Sequence, residues 1–356
     1  MKLFYANGPI HRPFRTQMEA AGMKETRDFL DDWDLYFPDY GTKYEDDMRA
    51  LLPARIDQWI GGLPHSFWIS NKANLWIALV REHTRPVAAT IMPETWRVSR
   101  PPQRKRLLDI WTPALKLISK NPRLQRRQGL KLFDTPQQAF AAGDDGFIIT
   151  QRLITDQLLV SGYRFHARMY LMVVIEGQKL SAWVHRIAKV IYTLKPAHEA
   201  TGVDAWLTRS RGSHELPKGL PFTWEALKAQ HPILDQQQVD ETLCKMIQAT
   251  SPKLQAAWGL ACNPAFQFFG VDFLFGADGT PWLLECNKGP DMSAKCARDA
   301  AMKKDVIRDS LTLIDIPGLP PWPGGFRRII TLPLTEQPQT AFEALPLHTE
   351  DADVSG

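Results

Sequence analysis

The chain has 356 residues, with 43 Lys and Arg against 39 Asp and Glu, a formal net charge of +4 and 44% hydrophobic residues. Such a chain can bury a substantial core in two or three subdomains, and its charge is too mild to name a partner by itself. No apolar run approaches the roughly 18–20 residues of a membrane span, so no membrane partner is expected.

In chain order, the start from Met1 to Pro9 lacks the apolar stretch of a signal peptide, because Asn7, Gly8 and Pro9 interrupt it. The cysteines Cys244, Cys262, Cys286 and Cys296 show no C-x-x-C spacing, so free thiols and a cytoplasmic location are expected. Met48, Leu51, Leu52, Ile56, Trp59 and Ile60 recur at helical spacing. They predict an amphipathic helix over about 45 to 60, bent at Pro53 and ended by Gly61-Gly62-Leu63-Pro64. A second helix is predicted from near Asn71 through Leu75 and Leu79, and Arg85-Pro86 to Pro93 breaks its pattern.

From Arg97 to Lys131 eleven basic residues (Arg97, Arg100, Arg104, Lys105, Arg106, Lys116, Lys120, Arg123, Arg126, Arg127 and Lys131) stand against one acid, Asp109. Such a block implies an anionic partner: nucleotide phosphates, an acidic polypeptide or nucleic acid. Trp96 and Trp111 interleave it too sparsely to favour nucleic acid. Strands are predicted at Leu115 to Ile118 and Phe147 to Gln151. The cleanest strand runs from Arg164 to Glu176, with Phe165, Ala167, Met169, Leu171, Val173 and Ile175 on one face and Arg164, His166 and Arg168 on the other. Ser181 to Thr193, carrying Arg186 and Lys189, is its predicted partner strand. Pro196 to Pro221 reads as loop. Helical pattern returns from Trp224 to Thr250, interrupted at His231-Pro232 and stopped by Ser251-Pro252, and again from Ser293 to Leu313. From Pro317 the chain is Pro-rich and then acidic, which predicts an extended, partly disordered tail.

The most informative segment lies between these helices. Phe266 to Phe275 and Trp282 to Asn287 flank an Asp278-Gly279 step, a strong hairpin signal. A two-residue turn there puts Asp272 directly opposite Glu285, with Asn287 on the same face as Glu285. Like charges opposite each other on a sheet destabilise it, and a bound cation is the simplest remedy. Two carboxylates and an amide offer oxygen ligands, which suit Mg²⁺. The hairpin therefore reads as a magnesium site that carries nucleotide phosphates.

The order of these motifs resembles the tubulin tyrosine ligase-like family, a branch of the ATP-grasp ligases. Phe269-Gly270-Val271-Asp272-Phe273 with Pro281-Trp282-Leu283-Leu284-Glu285-Cys286-Asn287 to Pro290 looks like the family's F-G-x-D-F … P-W-L-L-E-x-N-x-x-P. Gln151-Arg152-Leu153-Ile154, followed by Leu158 to Tyr170, is similar to Q-R-Y-I … L-L-I-D-G-x-K-F-D-x-R-x-Y. Weaker echoes are Ser70 to Leu75, and Ile118 to Pro122 leading to Gln128-Gly129-Leu130. The resemblance implies an α/β, ATP-grasp-like ligase with a small N-terminal subdomain (1–88), a central subdomain (89–152), a C-terminal antiparallel sheet domain with the metal hairpin (153–316) and a tail (317–356).

It also implies roles. Asp272, Glu285 and Asn287 would hold Mg²⁺ between the ATP phosphates. Lys72 and Lys120 would contact phosphate, and Gln151, Arg152 and Leu153 would meet the adenine edge. Arg164 and His166 would stand at the nucleotide, while Arg168 and Arg186 would be the catalytic cations facing the reacting carboxylate and the transferred phosphoryl group. The implied reaction makes an acyl phosphate from ATP, which the amine of a free amino acid attacks. Its implied acceptor is an acidic protein such as the tubulin C-terminal tail, met by the 97–131 block. The chain departs from the family pattern at Arg164 and His166 (Lys and Asp in the family), in the reduced glycine loop at 122–129, and at Arg209 in Trp206-Leu207-Thr208-Arg209, where the family reads H-L-T-N. These departures leave a second reading open, a catalytically degraded member that binds nucleotide or protein.

Overall fold

The computed structural model of the chain describes residues 2–7, 10, 12–28, 33–38, 58–121, 129–208, 219–258, 263–315 and 324–334. Its strands are β1 (Leu3–Ala6), β2 (Lys24–Thr26), β3 (Leu35–Phe37), β4 (Trp59–Ile60), β5 (Thr95–Arg97), β6 (Leu117–Lys120), β7 (Leu130–Phe133), β8 (Ile149–Arg152), β9 (Phe165–Glu176), β10 (Lys179–His185), β11 (Lys189–Tyr192), β12 (Ala265–Phe275), β13 (Pro281–Lys288) and β14 (Phe326–Pro333). Its helices are α1 (Arg12–Ala20), α2 (Phe67–Ser70), α3 (Lys72–Ile91), α4 (Pro101–Ile110), α5 (Pro136–Asp144), α6 (Trp224–Gln230), α7 (Gln236–Trp258) and α8 (Ala297–Leu313).

Among the described residues ten strands form one mixed sheet in the order β14-β10-β9-β12-β4-β3-β1-β2, with β11 also on β9 and β13 also on β12. The N-terminal strands pair in parallel, while β9 to β14 pair antiparallel. A second, antiparallel sheet runs β5-β8-β6-β7. The long strands β9 and β12 are buried on both faces, which is why β12 reads as a continuous apolar run. One face of β9, Phe165 to Ile175, packs with Leu75 and Leu79 of α3 and Val239, Leu243 and Ile247 of α7. Its other face carries Tyr170, Met172 and Val174 against Met302, Val306 and Ile307 of α8. That second face turns polar at Arg168, His166 and Arg164, and there the site begins.

The hairpin forms, but with a different turn. The Gly276 N–H donates to Thr280 O and the Gly279 N–H to Gly276 O, each at 2.9 Å, so three residues close the turn and Phe275 faces Pro281. Gly279 has φ +84°, and a Cβ there would lie 2.5 Å from Ile233 O, so only glycine fits. A bulge then inserts Leu284 into β13, and the extra residue restores Asp272 opposite Glu285.

Other expectations shift for local reasons. The helix over 45 to 60 falls mostly outside the described residues, and its last two positions form β4. The second helix starts as expected, with Asn71 Oδ1 accepting from Ala73 N and Asn74 N. It breaks at Thr84 (φ 67°, ψ 160°) and resumes through Pro86 to Ile91. The basic block contains the unexpected helix α4, started by Pro101 at its first turn. Ser181 to Thr193 is two strands, β10 and β11, which pair with successive stretches of β9. Pro252 does not stop α7; the Gln248 carbonyl it leaves without a helical donor accepts from Ser251 Oγ at 3.0 Å. Phe326–Pro333, expected within the tail, is the edge strand β14 on β10, while 335–356 lie outside the described residues. Among the described residues no helix is long and apolar enough to cross a membrane. Cys244, Cys286 and Cys296 are free thiols, and Cys262 lies outside the described residues.

β14 is clasped to the sheet by a buried imidazole. His185 Nε2 lies 3.0 Å from Asp309 Oδ2, and its Nδ1 accepts the Ile187 N–H at 3.0 Å. Asp309 Oδ2 also accepts the Gly325 N–H at 2.8 Å, and Phe326 meets the imidazole edge-on at 4.7 Å. An accepting Nδ1 fixes a neutral ring. Burial accordingly holds the His185 pKa below its ordinary 6.5, with Asp309 countering part of that effect. As pH falls through about 6.5 the unfolded chain takes up the proton first, so this contribution is present above that pH and is lost below it. Denaturant titrations should show the unfolding free energy dropping between pH 7 and 5.5, with a smaller drop in His185→Gln. An equal slope in that variant would contradict the assignment.

Candidate active site

The site is a row of charged side chains drawn across four adjacent strands. Lys189 of β11 is the cross-strand partner of Arg168 of β9, Arg168 of Asp272 of β12, and Asp272 of Glu285 of β13. Arg168 grips Asp272 through both carboxylate oxygens, Nε to Oδ1 at 2.7 Å and Nη2 to Oδ2 at 2.6 Å. This fork-to-carboxylate geometry is the strongest form of protein ion pair. Asp272 is buried, so its charge is tolerable only because it is paired. Burial works against the Arg168 charge, but Asp272 and Glu285 more than offset this and hold the guanidinium protonated.

Glu285 is met from the other side by two lysines of distant origin. Lys72, at the first turn of α3, lies 3.4 Å from Glu285 Oε2 and donates to Leu284 O at 2.8 Å, so the bulged residue supplies its carbonyl. Lys120, at the end of β6 in the smaller sheet, lies 3.7 Å from the same Oε2. Asn287 Nδ2 donates to Glu285 Oε1 at 3.1 Å. Burial alone would raise the Glu285 pKa, but Lys72, Lys120 and Asn287 pull it well below the usual carboxylate range. The Lys72 pKa is lowered, burial outweighing the upward pull of Glu285.

The remaining expected residues are placed as follows. His166 Nδ1 lies 2.5 Å from Thr208 Oγ1, while its Nε2, 3.6 Å from Asp272 Oδ1, is buried without a hydrogen-bond partner. Burial depresses its pKa, with Asp272 opposing. Arg164 donates to Ala205 O at 3.1 Å and stacks 4.0 Å over the Trp206 ring. Gln151 is buried, and its amide is spent on Pro93 O (3.1 Å) and Thr95 Oγ1 (3.0 Å). The Arg152 N–H donates to Glu94 O and the Leu153 N–H to Lys116 O, each at 2.8 Å. Arg186 is not on a strand: it lies exposed on the β10–β11 connection, where its N–H donates to Gly325 O at 2.7 Å and Glu225 is the acid that feels its charge. Arg123, Arg126, Arg127 and Arg209 lie outside the described residues.

Lys189 and its partner Asp299 were not singled out from the sequence. The available signal was a lone lysine in the apolar run Ala188 to Tyr192. A cavity of about 500 Å³ lies beside the row, between Arg152 to Asp156 and the hairpin tip, walled by Ile110, Leu115 and Trp282. Its lining holds none of Asp272, Glu285, Asn287 or Lys72.

The row can hold a hard cation only in company. Its donors are two carboxylates and an amide oxygen, and among the described residues no group of three His, Cys, Asp or Glu stands together as metal ligands. Phosphate oxygens would have to complete the shell, which is how Mg²⁺ is usually bound. The cations are in surplus. Lys72, Lys120, Arg168, Lys189 and Lys303 stand against Asp272, Glu285 and Asp299. Such a balance suits an anionic ligand.

Fold and row together define an α/β protein with a cluster of ion pairs where two sheets meet. The chain belongs to the tubulin-tyrosine ligase family, whose sequence profile matches residues 50–320. Its fold is accordingly ATP-grasp-like. It is 24% identical to a probable tubulin polyglutamylase of Caenorhabditis elegans (ttll-9) over 181 residues, 47% of this chain and 42% of the relative. Over 218 residues it is 27% identical to a human probable tubulin polyglutamylase (TTLL2), covering 57% of this chain and 36% of the relative. With the tubulin polyglutamylase ttll-4 of Caenorhabditis elegans it shares 24% over 298 residues, 75% and 47% of the two chains. The matched segments thus span less than half the length of these relatives.

The opposing pulls on Lys72 give a direct check. Glu285→Gln removes the main upward influence on the Lys72 pKa, so more of its amine is neutral at pH 8. Acetylation followed by peptide mass spectrometry should label Lys72 faster in Glu285→Gln than in the parent, relative to exposed Lys105 in the same sample. Equal or slower labelling would count against the contact.

Proposed function

We propose that the chain is an ATP- and Mg²⁺-dependent carboxylate–amine ligase that adds a free amino acid to an acidic protein tail, with tubulin the leading acceptor. The observation that carries this reading is the row itself: two carboxylates in register, one buried and one half-buried, flanked by more cations than they need. The names of the relatives point the same way, since each is called a tubulin-modifying enzyme.

In this reading Asp272, Glu285 and Asn287 hold the metal and Lys72 and Lys120 meet the phosphates. Bound Mg²⁺ would neutralise charge on the transferred phosphoryl group. Arg168 cannot serve Asp272 and a substrate carboxylate with the same two donors. With Asp272 engaged by a metal, Arg168 would be free to orient the acceptor carboxylate. That carboxylate would take the γ-phosphoryl group of ATP to give an acyl phosphate, with ADP as the leaving group. The amine of the incoming amino acid then attacks the acyl carbon, an amide forms and phosphate leaves. Gln151 would brace the linker at the adenine edge through its Nε2, which donates to Pro93 O and Thr95 Oγ1. The basic stretch of sequence from Arg97 to Lys131 would attract the acidic acceptor.

One observation favours a second reading, a nucleotide- or protein-binding module without turnover: Arg168 already occupies both oxygens of Asp272. Calorimetry with Mg-ATP separates the two. The ligase reading expects binding, weakened in Asp272→Asn by at least the roughly 10–100-fold that losing even an outer metal partner costs. It also expects a mass increment on tubulin tails when ATP, Mg²⁺ and a mixture of amino acids are supplied. Nucleotide binding with no increment under conditions where a known ligase works would favour the module.

A further inference from the structure

Lys189 differs from Lys72 and Lys120 in being buried while sharing its carboxylate with a second cation. It is 2% exposed, and its Nζ lies 2.9 Å from Asp299 Oδ1. Asp299, itself fully buried, is already served without it. Lys303 lies 3.2 Å from Asp299 Oδ2, and the Lys295 N–H donates to that oxygen at 2.9 Å. A buried ion pair is often no more stable than an apolar pair of the same shape. A second buried cation on one carboxylate therefore calls for another reason.

Two physical links run from Lys189 and Asp299 to Arg168. The first is direct. Lys189 and Arg168 are registered partners on neighbouring antiparallel strands, where opposed side chains stand side by side. The charge of Lys189 is also felt at His166, two residues along the same face. The second runs through the loop that joins β13 to α8. Lys303, held by Asp299, donates to Asp291 O at 3.1 Å and to Ser293 O at 2.8 Å, and so pins this loop to the first turns of α8. The pinned loop puts Pro290 onto Gly270: a Cβ at position 270 would lie 2.7 Å from Pro290 Cβ and 3.4 Å from Arg168 Cδ. Pro290 and the Arg168 stem thus both crowd the space over Gly270, one from the loop and the other from the strand that pairs with β11.

We propose that Lys189, held by Asp299, is a positioning residue for Arg168: it confines the guanidinium and adds positive potential on the side where an acceptor carboxylate arrives. The carboxylate role of Arg168 rests on the function proposed above; the confinement of Arg168 does not. Lys189 itself touches neither metal nor nucleotide in this scheme. The half of the site built on Glu285, Lys72 and Lys120 is therefore expected to be indifferent to it.

The test compares Lys189→Met, which keeps the stem and removes the charge, with Lys189→Arg. The first readout is the Arg168 Nε–H signal in proton–nitrogen NMR spectra, assigned by its loss in Arg168→Lys. In the parent and in Lys189→Arg it should be sharp and protected from solvent exchange. In Lys189→Met it should broaden or exchange at least several-fold faster, with a near-normal melting temperature. The second readout is kinetic. Lys189→Met should raise the KM for the acceptor about tenfold while Mg-ATP affinity by calorimetry stays within about twofold, and Lys189→Arg should restore KM. An unchanged Arg168 signal overturns the proposal, and so does an equal loss of nucleotide and acceptor binding. Should Lys189→Met not fold, Asp299→Asn reads the same link from the other end and must loosen the Arg168 signal for the proposal to stand. A parent protein that binds no Mg-ATP would remove the ligase reading, while the NMR comparison would still decide whether Lys189 positions Arg168.

Discussion

The fork of Arg168 on Asp272 is the interaction around which this molecule is organised. Both groups sit inside a sheet, where an unpaired charge would cost several kcal/mol. Pairing Asp272 with Arg168 leaves Glu285 facing it across the hairpin, and that second acid needs cations of its own. They come from the first turn of α3 and from the end of an inner strand of the smaller sheet, Lys72 and Lys120. One carboxylate thereby ties together three segments that are far apart in sequence. Without Glu285 the two lysines would face each other with nothing between them, so the approach of the smaller sheet to the larger depends on this charge as well as on apolar packing.

What the sequence disclosed follows the same logic. Alternation along 165–176 was legible because the period is two and the strand is long. Asp272 opposite Glu285 was legible even though the turn was misjudged. The extra turn residue and the extra bulge residue lie on opposite arms and cancel. Lys72 and Lys120 stood out only through the family resemblance, and only the convergence of two sheets shows their common partner. Lys189 was hidden for a related reason: its importance lies in its register against Arg168, which depends on β11 being a separate strand from β10. Arg186 looked equivalent in sequence, but it falls on the connection between them. Pro252 and Phe326–Pro333 were misread where a local rule was overridden, by a serine hydroxyl in one case and by a free sheet edge in the other.

The departures at His166 and Arg164 are best understood as charge balance. A carboxylate in place of His166 would stand beside Asp272 and Glu285, and a third acid would demand a further cation or a bound metal. An imidazole kept neutral by burial makes no such demand, so Arg168 can commit both donors to Asp272 while the site is empty of ligand. Arg164, where a lysine would reach freely, is laid flat on Trp206 and bonded to Ala205 O. Its guanidinium is held for planar contact rather than for chasing a mobile phosphate. Both changes leave the row's surplus positive charge to Lys72, Lys120 and their neighbours. In the function proposed above, a metal at Asp272 would compete with Arg168 for the same two oxygens, so the strength of this fork would set how readily the arginine turns to another anion.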